Sequence, residues 1–266
     1  MKTGDIVPLW IDWMRCGGAP ETTVGLRVYY IDRLSEAHPD LLALGTEDLT
    51  AWIAGHTWKP NTRKTVRSAL RSFYGWALIT GRIRTSPAAL LPAVRIPRGV
   101  PKPTPEDGYR LALASADARV TLAVRLAGQC GLRRAEVARS RREDVIGDLV
   151  GWSLHVVGKG GHERVVPLPS DLAALILGMP PGWLFPSRAS SGHLTPHYVA
   201  RMVARCLPTG SGMHSLRHRC ATTAYAATHD LRAVQELLGH LRPETTAGYV
   251  RTPDEAIRAA VEAAAA

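Results

Sequence analysis

Apolar residues in the first third of the chain recur at helical intervals, separated by short polar, glycine- and proline-bearing gaps. In TTVGLRVYYIDRLSEA, Leu26, Tyr30 and Leu34 fall at i, i+4 and i+8, with Thr22 and Thr23 at the expected cap. Thr46 opens TEDLTAWIAG, a short capped helix with Leu49, Trp52 and Ile53 on one side. Pro60 and Asn61 open NTRKTVRSALRSFYGWALITG, which Gly81 stops. Its apolar positions Val66, Ala69, Leu70, Phe73 and Ala77 form one stripe. Arg63, Arg67 and Arg71 form another, at i, i+4 and i+8, with Lys64 beside it.

The pattern then lapses in PAVRIPRGVPKPTPED, where proline resists both helix and strand. This predicts a helical domain over 1–94, a basic linker over 95–103 and a second domain over 104–266. The second domain opens with helical patterns in TPEDGYRLALASA and ARVTLAVRLAGQC. The period switches to two in WSLHVVG and ERVVPLP, which Lys159, Gly160 and Gly161 separate, so a hairpin is expected. Helical spacing returns in DLAALIL, TPHYVARMVARCL, MHSLRHRCATTAYAAT and DLRAVQELLG. The tail DEAIRAAVEAAAA is a strong helix former, and Ala256, Ile257, Ala260 and Val261 suit docking on a neighbouring copy. The expected fold class is mainly α with a small antiparallel β-sheet (α+β).

Composition narrows the function. With 266 residues, 45% of them hydrophobic, the chain has ample length for a packed core. It has no membrane-length apolar run and no secretory leader pattern, so a cytoplasmic protein without a membrane partner is expected. The net charge of +10 favours a polyanionic partner, although charge alone also fits a merely soluble basic protein. Arginine dominates the basic set and suits forked phosphate contacts. Cys16, Cys130, Cys206 and Cys220 are widely spaced with no C-x-x-C, which argues against disulfides and structural zinc. His214 and His218 have i, i+4 metal-ligand spacing, but HSLRH lacks the glutamate of H-E-x-x-H and an evident third ligand.

Several candidate residues have ordinary readings when taken singly. Arg133 in CGLRRAEVARS could be a surface arginine, and Glu136 could orient it or cap the helix. Lys159 could be a hairpin-tip lysine, and His214 and Arg217 a solvated helix face. His240 could cap a helix C-terminus, and Tyr249 could be a core residue. Together they are the components of metal-free phosphoryl transfer. Arginines hold the non-bridging oxygens, histidines donate or move protons, a lysine protonates the leaving oxygen and a tyrosine attacks.

In chain order, CGLRRAEVARS, VVGKGGHERVVPLP, MHSLRHRCATT, VQELLGH and ETTAGYV resemble the tyrosine recombinase, or phage-type integrase, family over about residues 103 to 255. The resemblance implies phosphate-gripping Arg133 and Arg217, with Lys159 as general acid for the leaving 5′ oxygen. It implies assistance from His214, donation to the phosphate from His240, and a 3′-phosphotyrosyl link on Tyr249. It implies no metal and no cofactor. The partners it implies are double-stranded DNA recombination sites and a homotetramer on DNA, from a monomer or weak oligomer when free. The first domain resembles the family's helical core-binding domain, with Arg63, Lys64, Arg67 and Arg71 as DNA contacts. The core-binding pattern starts near Ile6, so no N-terminal arm-binding domain is expected. Alternatives are relaxation of the type IB topoisomerase kind, Xer-like resolution of DNA multimers, and a DNA-binding protein without catalysis.

Overall fold

The computed structural model describes residues 3–97, 102–187 and 192–239. His240, Tyr249 and the tail expected to dock on a neighbour lie outside the described residues. The chain divides into two compact units, Met1–Arg98 and Gly99–Ala266. Among the described residues no helix is long and apolar enough to cross a membrane.

The first unit is helical: α1 Thr3–Cys16, α2 Glu21–Ala37, α3 Thr46–Ala54 and α4 Pro60–Ile79. The apolar stripe of α4 is wholly buried at Val66, Ala69, Leu70, Phe73 and Ala77. Trp10 meets Phe73 edge-to-face with ring centroids 5.3 Å apart, the favoured aromatic geometry. The Tyr74 hydroxyl donates to the Leu41 carbonyl at 2.8 Å, satisfying a polar group inside this core. Beyond α4, the Arg82 and Gly81 N–H groups donate back to Ala77 and Leu78, with Gly81 at φ +69°. This closes the helix C-terminus with the left-handed residue that glycine adopts most easily.

Three local expectations are corrected. The start of α2 has Pro20, not a threonine, at its cap position, because proline's fixed φ of −59° leads directly into the first turn. Leu26 faces solvent at 47% exposure, while Val24, Tyr30, Ile31 and Leu34 are buried. The buried stripe is therefore rotated relative to the i, i+4, i+8 reading. At α3 the capping comes from Asp48, whose carboxylate accepts from the Gly45 N–H at 2.8 Å. Thr46 instead donates to the Pro87 carbonyl at 2.9 Å.

The second unit opens with α5 Glu106–Ser115, α6 Ala118–Gly128 and α7 Arg134–Arg139. Helix α6 is apolar nearly all round and packs against α5, α7 and two later helices, α9 Pro196–Ala204 and α10 Met213–Thr228. Strands β1 Val145–Gly147, β2 Trp152–Val157 and β3 Glu163–Leu168 make an antiparallel sheet in that order. The hairpin of β2 and β3 agrees with the alternation in sequence. Strand β1 is an addition, too short to show a period, and the turn after it is set by Asp148 accepting from Val150 and Gly151. Leu154, Val156, Val166 and Leu168 face the core, which α8 Ser170–Leu177 and the long helices complete. Helix α11 Leu231–Leu238 starts at Asp230, whose side chain accepts from Arg232 and Ala233. All four cysteines are free thiols. Burial pushes Cys130 up to about 12 and Cys220 up to about 11, so both stay protonated at neutral pH.

Phe73→Ala should lower the stability of the first unit by about 3–5 kcal/mol, because the vacated ring volume lies within interlocked aromatics. Denaturant titration followed by tryptophan fluorescence would measure it, and a loss below about 1 kcal/mol would contradict the packing described.

Candidate active site

The centre of the second unit's polar chemistry is one carboxylate. Glu136 lies in the first turn of α7, three residues after Arg133. Its Oε2 accepts from the Arg133 backbone N–H at 2.8 Å, and its Oε1 from Arg133 Nη1 at 2.9 Å. It thus caps the helix and orients the arginine, the two roles left open by sequence. Arg164 of β3 grips the same carboxylate as a fork, Nη1 to Oε1 at 3.0 Å and Nη2 to Oε2 at 2.8 Å. Arg217 of α10 brings Nη1 to 4.0 Å from Oε2. Glu136 and Arg217 side chains are each only 2% exposed, Arg164 is 12% exposed and Arg133 is 35% exposed.

Burial pushes the Glu136 carboxyl up, but the Arg164 hydrogen bonds and charge, with the Arg133 donors, outweigh it and hold the group below its ordinary range. Glu136 is therefore an anion at neutral pH. Three guanidinium groups against one carboxylate leave a positive excess of two among these four residues. A partly exposed Arg133 edge beside buried cations is suited to an anion arriving from solvent.

The same arginines satisfy the C-terminal end of α11. Arg164 Nε donates to the Leu237 carbonyl at 3.3 Å, Arg217 Nη2 to Leu238 at 2.6 Å and Arg133 Nη2 to Gly239 at 3.5 Å. Carbonyls at this end lack intrahelical partners and carry the helix's partial negative charge, so cations are favoured there. Arg217 Nη1 also donates to the Gly131 carbonyl. Two glycines make the approach possible. Gly239 has φ +62°, and a Cβ there would stand 2.7 Å from Arg164 Cδ. Gly131 has φ +66°, and a Cβ there would stand 2.6 Å from Leu238 Cδ2.

The structure thus brings Arg133 and Arg217 to one carboxylate. The turn Lys159–Gly161 joins β2 to β3, and Gly158 just before it packs against Glu136. His214 lies in the first turn of α10, one turn before Arg217, and its Nε2 lies 3.2 Å from His218 Nε2. Partial burial, then the Arg217 charge, lowers the His214 pKa. Among the described residues no group of three or more His, Cys, Asp or Glu is placed to hold a metal ion. His240 follows Gly239 in sequence but lies, with Tyr249, outside the described residues.

On α4, Arg63, Lys64 and Arg71 are exposed and Arg67 is half-buried. The stripe has a structural use that sequence did not reveal. Arg67 Nε and Nη2 donate to the Leu91 carbonyl at 3.0 and 2.9 Å, and Arg71 Nη1 donates to Ala89 at 2.9 Å. Arg63 Nη2 reaches the His56 carbonyl at 3.3 Å. Sequence reasoning also missed Arg164. The signal was present, because Arg164 occupies the inward phase of the Arg164, Val166, Leu168 alternation, where a charge requires a buried partner.

Two outcomes follow from this geometry. Glu136→Gln should cost about 3–5 kcal/mol, because it leaves buried guanidinium groups without their counter-charge. A change under about 1 kcal/mol by denaturant titration would contradict the central role of the carboxylate. Stability should also fall in two steps on acidification. The depressed His214 pKa means that the unfolded chain binds the proton first as pH drops below 6.5, the ordinary value. The depressed Glu136 pKa adds a loss below its ordinary 4.5. Unfolding midpoints against pH for the wild type and His214→Gln should differ in the first step, and identical profiles would refute it.

Residues 106–255 match the family model described as the phage integrase family. The tyrosine recombinase XerC of Rhodospirillum centenum (strain ATCC 51521 / SW) is 32% identical over 255 residues, covering 85% of this chain and 74% of that protein. The XerC of Xanthomonas campestris pv. campestris (strain B100) is 36% identical over 208 residues, 71% of this chain. The chain spans 63% of the length of that Xanthomonas relative. Lambda integrase residues 75–356, as a dimer bound to a COC′ core site, superposes with a TM-score of 0.76 at 21% identity, covering 94% of this chain and 95% of the other. A lambda integrase tetramer bound to a Holliday junction gives 0.72 at 20% identity, covering 91% and 78%. The mainly helical fold with its small antiparallel sheet is that of lambda integrase, and the chain belongs to the phage integrase family of tyrosine recombinases.

Proposed function

We propose that this protein is a site-specific DNA recombinase that breaks and rejoins strands through a covalent phosphotyrosyl intermediate. The observation that carries the reading is the meeting of Arg133 and Arg217 at Glu136, beside the turn bearing Lys159 and the end of α11. These two arginines come from segments far apart in sequence, and an excess of positive charge at their junction suits a phosphodiester.

In this scheme the Tyr249 hydroxyl attacks phosphorus, and the bond to the 5′ oxygen breaks. Arg133 and Arg217 hold the non-bridging oxygens, and His240 donates to them. Lys159 gives the leaving 5′ oxygen its proton, while His214, whose pKa is lowered by partial burial and the Arg217 charge, takes the proton that the Tyr249 hydroxyl gives up. The 3′-phosphotyrosyl ester retains the energy for rejoining, so the scheme draws on no metal or nucleotide. The first unit serves as a DNA-binding domain, with exposed Arg63, Lys64 and Arg71 on phosphates and Arg67 chiefly holding its own unit together. By likeness to the lambda integrase tetramer on a Holliday junction, four copies act on paired duplex sites.

The test uses a random-sequence pool of nicked duplexes, from which wild-type protein captures cleavable sites as covalent adducts. Tyr249→Phe should abolish the adduct while DNA affinity changes less than about threefold. An adduct that survives the substitution would overturn the assignment of the nucleophile. Efficient relaxation of an arbitrary supercoiled plasmid would point instead to chemistry of the type IB topoisomerase kind.

A further inference from the structure

Arg164 stands in β3 opposite Val156, at a register position that faces inward. One guanidinium there joins three segments: its own hairpin, α7 through both Glu136 oxygens, and α11 through the Leu237 carbonyl. The hairpin's approach is close. A Cβ on Gly158 would stand 3.3 Å from Glu136 Oε1 and 3.7 Å from Arg164 Nη1. The Gly158 N–H donates to the His162 carbonyl at 2.7 Å, closing the turn that contains Lys159. The tip of the hairpin is thereby fixed to the carboxylate that also orients Arg133.

Energetics separate this contact from ordinary packing. Desolvating a guanidinium is expensive, and a buried ion pair commonly gives no more stability than well-packed apolar side chains of similar volume. The flanking inward residues Leu154, Val156 and Val166 are apolar and buried. What a fork-to-fork arginine–carboxylate pair adds is a fixed distance and angle between two backbones. Lysine offers a single point charge on a flexible stem and does not reproduce it.

We propose that Arg164 is a positioning residue that holds the Lys159 turn in register with the Arg133–Arg217 phosphate grip. The proposal rests on the recombinase reading above. Arg164 does not touch the phosphate, and it acts through the hairpin on protonation of the leaving oxygen.

The test compares wild type, Lys159→Ala, Arg164→Gln and Arg164→Lys in single-turnover cleavage at saturating DNA, on a captured site. One substrate carries the natural 5′ oxygen and the other a bridging 5′ sulfur. A thiol is a far stronger acid than an alcohol, so the sulfur leaves without a donated proton. Arg164→Gln should slow the oxygen substrate by roughly 10–100-fold, part of what a general acid contributes, and should bring the sulfur substrate within about threefold of wild type. Arg164→Lys should behave alike, and it covers the case in which the glutamine variant is too unstable. Lys159→Ala sets the ceiling for sulfur rescue. Equal slowing on both substrates, or no slowing on oxygen, would overturn the proposal.

Hydrogen exchange gives a readout independent of cleavage. Amides of residues 158–162 should exchange faster in the Arg164 variants, and unchanged protection there would also overturn the claim. If wild-type protein captures no site, the recombinase reading fails on its own, while exchange still decides whether Arg164 holds the hairpin.

Discussion

The second unit depends on a single buried carboxylate surrounded by guanidinium groups. Glu136 is almost fully removed from water, and that position is tolerable only because Arg164 and Arg133 bond both of its oxygens. The reverse also holds. Arg217 is as deeply buried as the carboxylate, and it is accommodated by that nearby charge and by the Gly131 and Leu238 carbonyls. Each element that contributes to the site is attached here: α7 by Glu136, the hairpin by Arg164, α10 by Arg217 and α11 by its terminal carbonyls. The site and the packing of the unit are therefore the same interaction viewed from two sides.

This arrangement gives the glycines of the site a physical explanation. Gly131 and Gly239 both have positive φ, and both stand where a Cβ would strike a neighbour. The first opens the carbonyl that Arg217 binds, and the second ends α11 so that three successive carbonyls meet three arginines. The end of α11 at Leu238 and Gly239 is thus a helix terminus shaped to the arginine cluster.

Much of the fold was legible in the sequence because its signals are local. Pro60 and Gly81 bracket α4, and its apolar stripe is the buried face. Alternation around Lys159, Gly160 and Gly161 identifies the hairpin. The three-residue strand β1 was not legible, because no period can be read from so few positions. At α2 the threonines suggested a cap, but proline's fixed backbone set the boundary. In the site, Arg133 and Arg217 could be named from motif order, and the i, i+3 spacing offered Glu136 to Arg133, yet nothing local says that Glu136 also meets Arg164 and Arg217. That pairing spans long stretches of chain and exists only after folding. The α4 arginines carry the opposite lesson: a basic stripe read as a ligand surface also supplies donors for the unit's own carbonyls.

The most direct measurement of the central claim is the chemical location of the DNA link. Wild-type adduct trapped on a nicked duplex would be digested with nuclease and trypsin, and the modified peptide sequenced by mass spectrometry. The account predicts a nucleotide 3′-phosphate esterified to Tyr249, in the tryptic peptide that ends at Arg251. A link to any other residue, or one through a 5′ phosphate, would contradict it.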